Sequence, residues 1–175
     1  MSKVEHTEST DVLVVGAGFA GMYMLYRLRA MGLSVQVLEA GSGVGGTWYW
    51  NRYPGARCDV PSMEYSFSFS DELQQDWNWS EVMAGQPEIL DYANHVAERF
   101  DLLPQIRFDT RVTTATYNED TRQWLVSTDT GKSYEARYCV MATGCLSVPN
   151  TPSIAGADNF RGSVYHTGRW PHEGV

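Results

Sequence analysis

The 175-residue chain carries 13 Lys and Arg against 21 Asp and Glu, a formal net charge of -8, and 43% apolar residues. That length suits one domain, or one domain and part of another, able to bury roughly 70% of its unfolded surface. Few charges and many aromatics exclude the disordered class, and the acidic balance argues against a nucleic-acid partner, which would need clustered Lys and Arg.

Residues 1–10 are polar and read as a leader without the apolar core of a signal peptide. The longest mostly apolar run, residues 12–26, is glycine-interrupted and shorter than the ~20 residues that cross a bilayer. A soluble, intracellular protein with no membrane partner is expected. Cys58, Cys139 and Cys145 contain no C-x-x-C pair. They predict a reducing, cytoplasmic setting, with neither a disulfide framework nor a metal site.

Residues 12–15 form a continuous apolar run, the pattern of a strand buried on both faces. A glycine turn follows at once. Residues 22–31 then read as a helix ended by Gly32, and residues 35–38 as a second strand closed by Glu39. Strand, turn, helix and strand make a βαβ unit with parallel strands. Residues 41–85 show no clear period, and a stretch that long is usually functional or wrapped around a ligand. Residues 87–100 predict an amphipathic helix opened by Pro87, and residues 111–117, 123–128 and 133–141 an antiparallel meander. Residues 149–175 read as coil punctuated by Pro and Gly.

Gly16-x-Gly18-x-x-Gly21, after a buried strand and opening a helix, is the dinucleotide fingerprint in its proper context. Gly16 permits the tight turn, Gly18 a close approach of backbone to a pyrophosphate, and Gly21 close helix packing. The helix N-terminus offers N–H groups and positive potential to phosphate. Glu39 is placed to accept hydrogen bonds from ribose hydroxyls, and its charge disfavours a 2′-phosphate there. Two further features favour FAD over NAD. One is the glycine cluster at residues 41–46, whose backbone can lie along an extended cofactor. The other is the meander leading into Thr143-Gly144.

Two stretches carry a more specific pattern: residues 46–59, and Phe160-x-Gly162-x-x-x-His166-Thr167-x-x-Trp170-Pro171. The second fits at every fixed position the fingerprint of Baeyer–Villiger monooxygenases, and the first is similar to their N-terminal active-site segment; the chain most resembles the phenylacetone and cyclohexanone type. The resemblance implies a Rossmann-like α/β FAD-binding domain, with a parallel βαβ sheet and an antiparallel meander. It would occupy residues 11–148 and be incomplete relative to the family, followed at 149–175 by a linker carrying the fingerprint.

The implied activity uses FAD, NADPH and O2 to insert oxygen beside a ketone carbonyl through a flavin C4a-peroxide, giving an ester or lactone. By the same resemblance Gly16, Gly18, Gly21 and Glu39 hold the ADP half of FAD. Thr47, Trp48, Tyr49, Trp50, Asp59 and Tyr65 lie along the flavin half, and Val112 meets the adenine end. Arg57, Cys58 and Asp59 sit near the nicotinamide of NADP. Asp59 is the catalytic-site carboxylate that orients an arginine, which in turn keeps the peroxide ionised. Cys145 and Leu146 match substrate-pocket positions, where ordinary packing is an equal reading. His166 is either a device coupling cofactor binding to domain movement or a hydrogen-bonded linker histidine. His6, His95 and His172 are expected to face solvent.

The other match to G-x-G-x-x-G, Gly41-x-Gly43-x-x-Gly46, falls in the aperiodic stretch 41–85, so the chain shows no second βαβ unit opened by such a turn. The NADPH domain, the catalytic arginine and the return segment of the flavin domain are therefore expected outside these residues, in a C-terminal portion acting as partner. These 175 residues alone are expected to hold FAD weakly or not at all, and to catalyse no NADPH-driven oxygenation. A flavin N- or S-monooxygenase and a non-catalytic FAD-binding module remain as alternatives.

Overall fold

The computed structural model describes residues 7–146 and 148–175. In chain order it contains β1 (Thr7–Val15), α1 (Phe19–Ala30), β2 (Val35–Leu38), α2 (Thr47–Trp50), α3 (Asp71–Asp76) and α4 (Gln86–Arg99). Then come β3 (Ile106–Arg107), β4 (Val112–Asn118), β5 (Gln123–Thr128) and β6 (Ser133–Met141). The strands form one mixed sheet in the order β3-β2-β1-β6-β5-β4. β3, β2, β1 and β6 are parallel, while β4, β5 and β6 form the antiparallel meander. This is the Rossmann-like α/β class that the sequence predicts.

β1 is central, so its apolar half is covered on both faces. Val12 and Val14 pack with Met22 and Leu25 of α1 and Ala93 and Ala97 of α4, all at most 1% exposed. Leu13 points the other way and meets Leu38, Val126 and Tyr134. Each of the Val, Leu and Met side chains contributes about 1.5–3 kcal/mol by leaving water. The strand also reaches back to Thr7, into what reads in sequence as leader. Thr7, Glu8, Ser9 and Thr10 pair with Ser133, Tyr134, Glu135 and Ala136 of β6. Backbone pairing needs no apolar side chain, so hydropathy gives no sign of those residues. β6 therefore serves two roles, closing the meander and extending the parallel sheet.

The stretch 41–85 contains α2, α3 and a 3-10 turn at Ser62–Tyr65, all too short to imprint a period. Its aromatics are packing elements. Phe67, Trp77 and Trp79 surround the buried Tyr92, whose hydroxyl accepts the Phe67 N–H at 2.8 Å. Ser62 pins the stretch to the approach to α4, accepting the Ala84 N–H at 2.8 Å and donating to the Glu81 carbonyl at 2.8 Å.

His95 does not face solvent. Its ring lies 5.4 Å from that of Trp77, with Nε2 buried and unpaired among the described residues. His172 is exposed but packs on Tyr49, ring centroids 5.4 Å apart. The third of these histidines, His6, lies outside the described residues. Residues 149–175 form coil with two 3-10 turns.

Candidate functional site

A cavity of about 670 Å³ opens at the carboxyl ends of β1, β2 and β6. That is the crevice where the chain leaves a central strand toward opposite sides of a doubly wound sheet, the usual ligand position in such folds. Its floor is the turn after β1. Gly16 has φ +103°, and a methyl group there would meet the Ala142 carbonyl oxygen at 2.6 Å. β1 and β6 are adjacent, so the fingerprint turn and the Ala142-Thr143-Gly144 step lie side by side on the wall.

Gly18 is the N-cap of α1, which has no side-chain cap and no acidic residue in its first turn. Phe19 and Ala20 open that helix on the cavity wall. The helix end is thus left to an anionic ligand. Gly21 is not on the wall. A methyl on it would fall 1.9 Å from the Gly16 carbonyl oxygen, so its role is to seat α1 against the turn.

Glu39 is 5% exposed yet forms part of the wall. Oε2 accepts the Ala17 N–H and Oε1 the Gly41 N–H, each at 2.7 Å. The carboxylate therefore braces the turn as well as facing the cavity, a structural duty that its sequence position does not reveal. Each oxygen keeps a second lone pair for a ligand hydroxyl. Thr110, Arg111 and Val112 continue the wall from there.

Of the residues expected along the flavin half, Thr47, Trp48, Trp50 and Tyr65 line the cavity. The Trp48 carbonyl is held by the buried Gln86 amide at 2.5 Å. Burial pushes the Tyr65 phenol up; the Trp48 indole opposes this, and Cys58 and Asp59 add to it. Tyr49 points away from the wall, and its hydroxyl meets the Ser42 N–H and Oγ at 3.0 and 2.7 Å. Methyl groups on Gly41 and Gly43 would strike the Tyr49 ring at 2.6 and 3.1 Å. Those two glycines make room for an aromatic side chain, and Gly45 and Gly46 are the members of the cluster that border the cavity.

Asp59 is exposed and off the wall, close enough to act electrostatically on Tyr65. Arg57 is exposed and pairs with Glu81 at 3.0 Å, and Cys58 is buried with its thiol toward the Ala84 carbonyl at 3.4 Å. Leu146 borders the cavity, whereas Cys145 is exposed and does not.

The linker fingerprint folds on itself. His166 Nδ1 accepts the Gly168 N–H at 3.0 Å, and Nε2 lies 3.1 Å from the Asn150 carbonyl. A carbonyl only accepts, so the ring is the Nε2–H tautomer joining the two ends of the linker. Trp170 packs on Tyr165, beside Thr167 and Pro171, and Gly162 spares the Phe160 ring a contact of 2.6 Å.

Residues 13–173 match the family described as pyridine nucleotide-disulphide oxidoreductase. The chain belongs to that family. Within it, the chain is 48% identical over 166 residues to a Baeyer–Villiger monooxygenase of Pseudooceanicola batsensis, covering 94% of this chain and 30% of that protein. It is 45% identical over 162 residues to the phenazine N-monooxygenase PhzNO1 of Lysobacter antibioticus, covering 92% of this chain and 30% of the relative. A solved structure of an oxidized steroid monooxygenase bound to NADP superposes with a TM-score of 0.88 at 60% identity, covering 95% of this chain and 32% of that one. The resemblance drawn from the fingerprint is borne out. The chain spans about 30% of the length of the curated relatives it matches.

The residues present fit an adenine dinucleotide. A turn that excludes side chains, an uncapped helix end, a wall carboxylate and a flanking aromatic pair are complementary to pyrophosphate, ribose and a planar ring in that order.

Proposed function

We propose that this chain forms the FAD-gripping part of a Baeyer–Villiger monooxygenase that uses NADPH and O2 to convert a ketone to an ester or lactone. The observation that carries the reading is one cavity joining the Gly16 turn, the Glu39 carboxylate and the aromatic residues Trp48 and Tyr65, in a chain bearing the full linker fingerprint. When bound, FAD supplies the redox centre that accepts hydride from NADPH and activates O2. The chain's own residues do the holding. The α1 N-terminus takes the pyrophosphate, Glu39 accepts ribose hydroxyls, and Trp48 and Tyr65 flank the ring and exclude water. Asp59, unpaired among the described residues and acting electrostatically on Tyr65, is available to orient a guanidinium brought in from outside these residues.

A second reading is N-oxygenation, favoured by the 45% identity to a phenazine N-monooxygenase. One assay separates the two: the full-length protein carrying this sequence, loaded with FAD, is given NADPH with a cyclic ketone or with a phenazine. Ketone-dependent NADPH consumption with lactone formation supports the first reading, and N-oxide formation without lactone replaces it with the second. Protein that retains no flavin refutes both.

A further inference from the structure

We propose that Arg111 is a specificity residue whose guanidinium lies over the adenine end of bound FAD and selects the dinucleotide over FMN. This rests on the FAD reading of the cavity and extends it. Arg111 is the one cationic residue on the described wall, and Glu39 the one anionic residue. The Thr110 N–H donates to the Glu39 carbonyl at 2.9 Å, so both charges belong to the ribose end. The pyrophosphate has its own donors at α1. Glu39 is already occupied by the Ala17 and Gly41 N–H groups, and Arg111 joins none of the ion pairs among the described residues.

The root of Arg111 is fixed and its tip is free. Its N–H donates to Asp129 Oδ1 and its carbonyl accepts the Asp129 N–H, each at 2.9 Å, while the side chain is exposed. A planar cation anchored this way suits the face of an electron-rich heterocycle, which a lysine ammonium matches poorly.

The test is titration of the full-length apoprotein with FAD and with FMN, followed by flavin fluorescence, for the unaltered protein, Arg111→Ala and Arg111→Lys. Arg111→Ala should weaken FAD about tenfold, leave FMN binding the same however weak it is, and leave the melting temperature unmoved. Arg111→Lys should recover only a minor part of the loss. Full rescue by lysine would reassign the residue to phosphate and overturn adenine stacking. Equal weakening of FAD and FMN, or no weakening, would overturn it too. Failure of the unaltered protein to bind FAD would sink the cavity reading and this inference together, whereas tight FAD binding indifferent to Arg111 sinks the inference alone.

Discussion

Gly21→Ala sets two effects of opposite sign against each other. Gly21 lies inside α1, where alanine gains about 1 kcal/mol over glycine from backbone entropy alone. Its added methyl would stand 1.9 Å from the Gly16 carbonyl oxygen and 2.9 Å from the Gly16 carbonyl carbon. Ordinary contact is roughly 3.5 Å, so α1 must retreat by about 1.6 Å. The obstacle is backbone, held in place by the Gly16 N–H bond to the Leu38 carbonyl at 2.8 Å. Overpacking of this kind costs about 1–3 kcal/mol, and against an unyielding neighbour the upper end applies. The net is about 2 kcal/mol of destabilisation, or about 4–8 °C in Tm for a domain of this size.

Gly18→Ala is the control. It has φ -74°, and its methyl would meet Gly46 alone, Cα at 3.4 Å and N at 3.8 Å. Its cost should stay below about 1 kcal/mol, the loss of a glycine N-cap, yet FAD affinity should fall because the methyl stands on the cavity wall. Thermal unfolding of the unliganded proteins, with flavin titration beside it, reads both. A Gly21→Ala protein that melts at or above the parent temperature would refute the steric argument.

Glu39→Gln swaps one acceptor oxygen for a donor facing a backbone N–H, and urea midpoints should show a loss of about 1–3 kcal/mol; an unchanged midpoint would remove the bracing role. Burial raises the phenols of Tyr65, Tyr92 and Tyr134 above their ordinary value near 10. Unfolding releases those protons more readily, so their contribution is intact below about pH 10 and fades as pH rises beyond it; flat melting temperatures from pH 8 to 11 would contradict this. The His172 imidazole is lowered by the partial shielding of its ring from water and by Arg52, against Glu173. Its folded form prefers neutrality, so the docking of the segment on Tyr49 should hold above about pH 6.5 and loosen as pH falls below it. Protection from hydrogen exchange at residues 165–173, taken relative to the intrinsic amide rate at each pH, should fall at pH 5.5 in the parent and stay constant in His172→Phe.

The local signals were legible because they repeat over short distances. The strand at residues 12–15 follows from a continuous apolar run, the Gly16-Gly18-Gly21 turn and Glu39 from one short motif, the stripe of α4 from its 3.6-residue period, and the meander from its turn chemistry. Dinucleotide character came with them, since it resides in one βαβ unit.

Only the tertiary structure decided what depends on distant neighbours. It enlisted Thr7–Thr10 into the sheet through β6, and paired β6 with β1 so that Thr143-Gly144 faces Gly16. It gave Gly41 and Gly43 to the Tyr49 ring rather than to a ligand. It also bound Glu39 to two backbone N–H groups, and set Asp59 and Cys145 off the cavity wall. The reason is physical. Periodicity and turn propensity are properties of neighbouring residues, whereas strand order, side-chain burial and the facing of two loops arise only when segments far apart in sequence exclude water from one another.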